Sequence, residues 1–191
     1  MNFSKDKKSS KLRKFFIQPR GDDFTKLPLC TICVKSGVLC PRCQKLIERG
    51  DYNETDIEVM KTLLELEESK FSVLRDVIYH KSYKADNMYV IVLSGNKLTP
   101  FILSKIAKKL SEKLEGKVRI IERTSSLRKM ASQLLIPANV LGVNILWLPD
   151  GSWQSIVRVS RSDFKTLPAE KELLEEILTK LSGMEVRIRF E

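Results

Sequence analysis

The sequence predicts an α+β fold in which a small cysteine-rich knuckle precedes two α/β units. Four cysteines form two C-x-x-C pairs between positions 30 and 43. After them, segments rich in β-branched residues alternate with amphipathic helical segments. One pattern occurs twice, as LSEKLEGKVRIIE at 110–122 and as LTKLSGMEVRIRFE at 178–191. Each copy is the end of a helix, a glycine-containing turn and a V-R-I strand, which indicates an internal repeat.

Composition places the chain among ordinary globular proteins and indicates an anionic partner. Of its 191 residues, 42% are apolar and 30% are charged, as in soluble domains. No apolar run is long enough to span a membrane, and the first residues lack the apolar core of a secretion signal. We therefore expect a cytoplasmic protein without a membrane partner. The net charge of +10 favours nucleic acid, although acidic proteins and anionic lipids attract such a charge too.

The cysteines predict a metal site. Cys30, Cys33, Cys40 and Cys43 are the only cysteines of the chain. Two C-x-x-C pairs can offer four thiolates in the tetrahedron that structural Zn²⁺ prefers, with Zn–S bonds of about 2.3 Å. The alternative is two disulfides in a secreted scaffold, which the missing secretion signal disfavours. Because thiolates fill all four positions, none remains for a catalytic water, and we expect the zinc to be structural.

Composition and pattern divide the chain into four segments. We predict a flexible basic arm at 1–25, the zinc knuckle at 26–50, and α/β units at 51–123 and 124–191. The first twenty positions carry seven basic residues against Asp6 alone. The arm is either a solubilising tail or a segment that contacts phosphate and orders on binding. Its candidate RNA-binding residues are Lys5, Lys7, Lys8, Lys11, Arg13 and Lys14.

The first unit begins with an amphipathic helix. Thr55 and Glu58 fit a T-x-x-E capping box that would start a helix over 56–68. The predicted outer face of this helix is acidic, with Asp56, Glu58, Glu65, Glu67 and Glu68. Segment 71–80 fits either a strand or a helix. A strand at 88–94, a helix at 102–114 and a strand at 118–122 complete the unit.

The second unit has the same kinds of element. We predict a helix at 125–135, then strands at 143–148 and 155–160 joined by the hairpin turn PDGS. A short turn or helical piece at 162–168, a helix at 169–181 and a strand at 185–190 follow. Trp147, beside the hairpin, is expected in the core, and Trp153 is expected to be more exposed. The order α-β-β-α-α-β fits this unit, and it fits the first if 71–80 contains a strand.

That order is the one found in type II KH units, and particular stretches make the resemblance more specific. The segment LCTICVKSGVLCPRCQKLIERGDYNETDIEV is followed by KKLSEKLEGKVRIIE, LRKMASQLLIPANVLGVN and LTKLSGMEVRIRFE. Over residues 28–191 the sequence resembles the archaeal NusA-like KH-domain proteins, a transcription elongation factor-like family. The resemblance implies two type II KH-like units in tandem and an RNA-binding role in transcription elongation or termination.

One departure concerns the loop with which KH units grip nucleic acid. That loop has the pattern GxxG, where glycine lets a phosphate approach the main chain closely. At the matching place the first unit has Phe101-Ile102-Leu103-Ser104, and the second has DFKTLP at 163–168. Neither stretch contains glycine. We therefore expect both GxxG loops to be degenerate, and we transfer no GxxG residues to this chain.

A basic surface on the helix predicted at 102–114 offers another place for RNA. Leu103, Ala107, Leu110 and Leu114 form a predicted apolar stripe, with lysines on the opposite face. The candidate RNA-binding residues on and after this helix are Lys105, Lys108, Lys109, Lys113, Lys117 and Arg119. The alternative is that these side chains are merely solvated. Between 99 and 130 there are nine basic and three acidic residues, and such segregation favours a binding surface.

No pattern indicates an enzyme or a small-molecule substrate. The sequence lacks a nucleophile elbow, a Walker loop and an H-E-x-x-H motif, and His80 is its single histidine. We expect binding of single-stranded or structured RNA through phosphate contacts. Two alternatives remain open: degenerate KH units that dock on RNA polymerase or a ribosomal subunit, and a ribosome-associated factor whose arm enters folded RNA. A hydrolytic zinc enzyme would need an open coordination position, which four cysteines do not leave.

Overall fold

The computed structural model describes residues 25–69 and 71–191. The helices are α1 (Thr31–Ser36), α2 (Pro41–Glu48), α3 (Glu54–Ser69), α4 (Pro100–Leu114), α5 (Leu127–Leu134) and α6 (Lys171–Ser182). The strands are β1 (Ile78–Ala85), β2 (Met88–Ser94), β3 (Lys117–Glu122), β4 (Val140–Trp147), β5 (Trp153–Val159) and β6 (Val186–Phe190). Short 3₁₀ turns occupy Ser72–Asp76 and Arg161–Thr166. The fold is therefore α+β, as the sequence predicts.

The two α/β units have the same topology. The first sheet has the strand order β1-β2-β3, and the second has the order β4-β5-β6. In each sheet the first two strands are antiparallel and the last two are parallel. A helix precedes each hairpin, and a second helix, α4 or α6, makes the crossover between the parallel strands. The repeated order α-β-β-α-β explains why the V-R-I motif occurs twice.

The units stack in layers, with the helices of the second unit lying between the two sheets. On one face of the first sheet, Tyr89 and Ile91 pack in the core formed with α3 and α4. On the other face, Met88 and Val90 share a core with α5, α6 and the second sheet. Nearly every residue of β2 is buried. A strand that is covered on both faces needs apolar residues at successive positions, which accounts for the run MYVIVLS.

The cysteine knuckle is built into the first unit rather than appended to it. Leu29, Cys33 and Val34 are buried in the same core as the apolar side chains of α3 and β2. The chain just before the knuckle also belongs to the fold, because Lys26 forms a parallel bridge with Ile78. Thr25, the last residue of the segment predicted as an arm, is also buried in the fold, where its amide donates to Glu67 Oε2 at 2.8 Å.

The helix α3 starts differently from the sequence prediction. The capping box is formed by Asn53 and Asp56, not by Thr55 and Glu58. The Asn53 amide donates to Asp56 Oδ2 at 2.9 Å, and the Asp56 amide donates to Asn53 Oδ1 at 3.0 Å. The prediction of a fully acidic outer face was also wrong at two positions. Asp56 and Glu67 are buried. Donors of β1 bind Asp56, and Thr25 donates to Oε2 of Glu67, while Oε1 of Glu67 has only the Arg75 guanidinium at 3.7 Å.

The ambiguous segment 71–80 contains both a helical turn and the start of a strand. A 3₁₀ turn covers Ser72–Asp76, and β1 starts at Ile78. The pairing of β1 with β2 shifts register between Tyr79 and Lys81, so His80 lies at a bulge. A bulge breaks the alternation of side chains across a strand. The hydrophobic periodicity of this segment therefore fits neither a regular strand nor a regular helix well.

The prediction that Trp147 lies in the core was wrong. Trp147 is 69% exposed, and its cross-strand partner Trp153 is 39% exposed. Both side chains share the face of the second sheet that further along holds the buried Val157. The hairpin between β4 and β5 extends past α5 and α6, so this end of the face has no helix above it. The apolar side chain of Trp147 alone could not show that the helices end before they reach it.

The connections before the crossover helices differ between the two units. In the first unit, no helix lies between the end of β2 at Ser94 and the start of α4 at Pro100. In the second unit, the 3₁₀ turn Arg161–Thr166 precedes α6. Thr99 caps α4, because its hydroxyl accepts from the Ile102 amide at 3.3 Å. The residues Phe101 to Ser104, which match the place of the GxxG loop, lie in the first turn of α4, two residues of which precede the predicted start at 102.

None of the helices in the described ranges is long and apolar enough to cross a membrane.

Candidate functional site

Each C-x-x-C pair sits at the start of a short helix. Cys30 and Cys40 are the N-cap residues of α1 and α2, with extended backbone conformations. Cys33 and Cys43 lie in the first turns and are buried. Gly37 ends α1 with a φ of 75°, a left-handed conformation that glycine adopts without a steric penalty. The chain can then turn back and bring the second pair against the first.

The four sulfur atoms converge on one point. All four Sγ atoms lie within 4.8 Å of one another, and those of Cys30 and Cys40 are 4.0 Å apart. A tetrahedron with Zn–S bonds of about 2.3 Å has edges of about 3.8 Å, so the donor set fits such an ion with little contraction. The two pairs are also linked, since the Cys30 amide donates to Cys43 Sγ and the Cys40 amide donates to Cys33 Sγ, each at 3.3 Å. The four cysteines can therefore hold a metal ion.

The electrostatics of the cluster also favour a cation. Burial raises the pKa of the Cys43 thiol to about 12 and raises that of Cys30 as well. A hydrogen bond from the Cys43 backbone lowers the pKa of Cys40 to about 6. Four thiolates this close together require a cation to offset their mutual repulsion and desolvation.

The lysines of α4 lie on an exposed face of the first unit, as the pattern predicted. Lys105, Lys108 and Lys109 are all exposed. The Lys105 ammonium lies 4.2 Å from the ring centroid of Phe101, which is itself 68% exposed. Lys109 pairs with Glu112 on the same helix at 2.6 Å. Neither Lys105 nor Lys108 has an ion-pair partner within the described ranges, so this face presents cationic charge to solvent.

The inner face of α4 differs by one position from the predicted stripe. Leu110 and Leu114 are buried as expected, but Ile106 is the third fully covered side chain. Leu103 and Ala107 are only partly buried. The apolar stripe on α4 therefore lies slightly further round the helix, and the lysines keep their solvent-facing positions.

Three further candidates differ in accessibility. Lys113 forms an ion pair with Glu65 of α3, so part of its charge is neutralised within the fold. Lys117 starts β3 and is exposed. Arg119 lies between the units, where its Nη2 donates to the Ile136 carbonyl at 2.6 Å, and burial lowers the pKa of its guanidinium. This contact gives Arg119 a structural role between the two units, so Arg119 is not part of the exposed row of lysines on α4.

The candidate residues of the arm, from Lys5 to Lys14, lie outside the described residues. The structure brings the four cysteines together in one cluster and the lysines of α4 together on one helix. The two groups lie on different elements. Sequence reasoning missed a third feature, the pairing of Arg158 with Arg189 on the second sheet. Aligning the two V-R-I strands could have shown it, because Arg189 stands where the first copy has Ile121.

Comparisons with known proteins add little about function. No protein-family model and no curated protein matches the chain. Among solved structures, the chain is similar to APE1850, known from a crystal structure, with a TM-score of 0.40 and 21% sequence identity. The similarity covers 55% of this chain and 80% of that chain. A likeness this distant supports no functional inference.

Proposed function

We propose that this protein binds RNA through contacts with the phosphate backbone, and that the exposed face of α4 is its principal RNA surface. The observation that carries the proposal is the row formed by Lys105, Lys108 and Lys109 beside the exposed ring of Phe101. Basic side chains that follow a backbone, together with an aromatic ring on which a base can stack, are the usual elements of single-strand binding. The net charge of +10 favours the same ligand.

The repeated topology supports a KH-like interpretation of the two units. Type II KH units have the order α-β-β-α-α-β, and the second unit matches it if the turn at Arg161–Thr166 stands for the first core helix. The first unit lacks that helix, and neither unit has a GxxG loop. We therefore place RNA on the outside of α4 rather than in a glycine clamp. By the resemblance to NusA-like proteins, the role would lie in transcription elongation or termination in the cytoplasm.

The metal in the cysteine cluster is, in this proposal, Zn²⁺. A set of four thiolates is typical of structural zinc and leaves no position for substrate or water. The ion would hold α1 and α2 together and fix both against α3, since Cys33 and Cys43 belong to the core of the first unit. It would stabilise the surface that carries α4 and take no part in chemistry.

A second candidate function is a protein-interaction module. The observation that favours it is the uncovered apolar end of the hairpin between β4 and β5, where Ile145, Trp147 and Trp153 are exposed on the same face of the sheet. Exposed aromatic side chains next to one another are typical of protein interfaces. RNA polymerase and the ribosomal subunits are the partners to test.

The deciding experiment measures RNA binding as a function of salt. Fluorescein-labelled single-stranded oligouridine and a labelled RNA hairpin are titrated with the full chain over a series of KCl concentrations. The variant Lys105→Glu/Lys108→Glu should lose at least tenfold in affinity and show a shallower salt dependence, because each phosphate contact contributes about 0.7 to the slope for a single strand. The control Lys45→Glu/Lys165→Glu makes the same charge change on exposed residues of α2 and the second unit.

The outcomes separate the two candidate functions. If both double variants bind RNA as the unchanged protein does, α4 is not the RNA surface. If the unchanged protein fails to bind either RNA at low salt, the RNA proposal is wrong. Cosedimentation with purified RNA polymerase or ribosomal subunits, comparing the chain with Ile145→Ser/Trp147→Ser, then tests the protein-interaction alternative. Removing residues 1–24 in both assays shows whether the arm contributes.

A further inference from the structure

The repeat makes the two sheets directly comparable, position by position. In the first sheet Val92 is the register partner of Ile121. In the second sheet the equivalent pair is Arg158 and Arg189. The V-R-I motifs fix this correspondence, because Arg119 and Arg187 occupy the same place in β3 and β6. An apolar pair in one copy has therefore become a pair of arginines in the other.

Part of this change follows from position in the stack. The corresponding face of the first sheet is covered by α5 and α6 of the second unit. The helices α5 and α6 pack on the other face of the second sheet, through Val157 and Ile188. On the outer face Arg187 and Arg189 are exposed, and Ile156, between them and Gln154, is buried. The last layer of a stacked repeat needs a polar outer surface. That requirement explains polar residues in general, but it does not explain why the charged residues within the strands of this face are all arginines.

The arrangement of the arginines is unfavourable by itself. Arg158 and Arg189 are direct neighbours on adjacent parallel strands, and like charges placed opposite each other destabilise a sheet. Arg187 adds a third cation two residues along β6 on the same face. In the described part of the chain, the other residues of this face are uncharged: Gly142, Asn144, Leu146, Gln154 and Ile156. A bound anion would relieve the repulsion.

The guanidinium of Arg158 is held flat against the sheet. Gly142 lies opposite Arg158 on β4, and a Cβ at that glycine would approach Arg158 Nη2 to 2.8 Å. The glycine thus leaves the space in which the guanidinium lies. The Arg158 Nη1 group donates to Glu191 at 3.2 Å, but its buried Nε has no hydrogen-bond partner. A ligand cannot reach that buried Nε, so contacts with a phosphate would be made by the Nη groups.

Three carboxylates lie beside the face and pair with two of its three arginines. Arg187 pairs with Glu175 at 3.2 Å and with Glu185 at 2.9 Å, while Arg158 pairs with Glu191. Arg189 is exposed and forms no ion pair with any described residue. The pairs with Glu185 and Glu191 are exposed and contribute about 0–1 kcal/mol, so a phosphate can replace either carboxylate at little cost. Glu175 is buried, and its pair with Arg187 stays in place.

We propose that the open face of the second sheet is a second RNA-binding surface, on which Arg158 and Arg189, assisted by Arg187, bind phosphates of a single strand. A guanidinium presents a planar fork that matches a phosphate in a bidentate manner, which a lysine cannot do. Side chains two residues apart on a strand are spaced by about 6.6 Å, so Arg187 and Arg189 can engage different phosphates. The inference shares its ligand class with the proposed function, but its surface is separated from α4 by the first sheet and by the helices α5 and α6.

The test compares two pairs of arginine substitutions in the full chain. Arg158→Gln/Arg189→Gln should bind labelled oligouridine roughly tenfold more weakly, with a salt slope smaller by about 1.4, because two phosphate contacts are lost. The control Arg49→Gln/Arg161→Gln removes the same charge from exposed positions and should change affinity by less than about threefold. Arg158→Lys/Arg189→Lys should keep the slope but lose affinity, since the charge remains while the fork is lost.

Thermal unfolding of each variant shows that a loss of binding does not reflect a loss of fold. Ultraviolet crosslinking to oligouridine, followed by peptide mapping, should locate RNA on residues 153–159 and 186–190. Equal binding by the Arg158→Gln/Arg189→Gln variant and the control overturns the sheet proposal and leaves the α4 proposal standing. If Arg158→Gln/Arg189→Gln binds more weakly while Lys105→Glu/Lys108→Glu binds as the unchanged protein does, the result supports the proposed site on the sheet and rejects the one on α4. A chain that binds no oligouridine overturns both.

Discussion

The buried carboxylate of Asp56 accepts a hydrogen bond of 2.6 Å from the hydroxyl of Tyr79. The same oxygen, Oδ1, accepts from the Ser82 amide at 2.7 Å and from its hydroxyl at 3.0 Å. Asp56 therefore joins the start of α3 to β1 on both sides of the bulge at His80. Burial, together with the negative charge of Asp56, raises the pKa of Tyr79, so the phenol remains a donor. A single carboxylate fixes the position of a helix against an irregular strand.

Removing this carboxylate should be costly. We expect Asp56→Ala to lower the free energy of unfolding by about 3 kcal/mol, because several buried donors lose their acceptor. Tyr79→Phe removes only one donor and should cost about 1 kcal/mol. Urea unfolding followed by circular dichroism measures both values. Glu58→Ala, on the exposed side of α3, is the control and should stay within about 0.5 kcal/mol; a similar small change for Asp56→Ala would contradict the role assigned to it.

Loss of the metal should destabilise the first unit. We expect the purified chain to contain about one zinc ion and Cys33→Ser to contain almost none, since three thiolates bind zinc less tightly than four. The free energy of unfolding of Cys33→Ser should fall by about 3 kcal/mol or more. Metal analysis and thermal unfolding before and after chelation provide the measurement. Gln44→Ala, next to Cys43, should retain the ion, and an unfolding temperature that chelation leaves unchanged would rule out a structural role.

Stability should fall as the solution is acidified, in part because of His80. Burial first, and then the charge of Arg123, lowers the pKa of His80 to about 4. The unfolded chain protonates this histidine near its usual pKa of about 6.5. Between these two values the unfolded state binds the extra proton, so stability increases from about pH 4 to about pH 6.5. Solvent screening of the half-exposed ring limits the effect to about 1 kcal/mol.

The variant His80→Gln isolates this contribution. The amide side chain keeps a group that can hydrogen-bond with Ser94, whose hydroxyl lies 2.7 Å from His80 Nε2, but it cannot titrate. We expect the difference in unfolding free energy between the unchanged chain and His80→Gln to vary between about pH 4 and pH 6.5. The carboxylates are common to both proteins, so their contribution cancels in this difference. No other histidine contributes, because His80 is the single one. A difference that does not vary with pH would show that folding leaves the pKa unchanged.

The two tryptophans provide a test of the packing described for the hairpin. Trp147→Phe should remove most of the fluorescence that acrylamide quenches and should change stability by less than about 1 kcal/mol, because Trp147 is mostly exposed. Leu134→Ala, within the core between the two sheets, should cost about 2–5 kcal/mol. Residual fluorescence that acrylamide quenches as strongly as before would place the accessible ring at Trp153 instead.

Most of the secondary structure could be predicted from local patterns. The strand MYVIVLS begins and ends at the predicted residues, and the helix α4 differs from its prediction by two residues at its start. The cysteine cluster was equally predictable, since C-x-x-C spacing imposes a tight turn at each pair. Features that depend on a residue distant in the chain were not predictable from local patterns. The choice of Asn53 over Thr55 as the cap depends on Asp56 being required by β1.

The sequence by itself determined the elements, their repetition and the four cysteines that form the cluster, because each follows from residues close together in the chain. Tertiary structure decided which surfaces are covered. It buried Asp56 within the first unit and left Trp147 beyond the end of the helices. It also placed Arg158 beside Arg189 on an open sheet, whereas the equivalent Val92 and Ile121 lie beneath the second unit. Burial depends on what packs above a residue, and that information lies in distant parts of the chain.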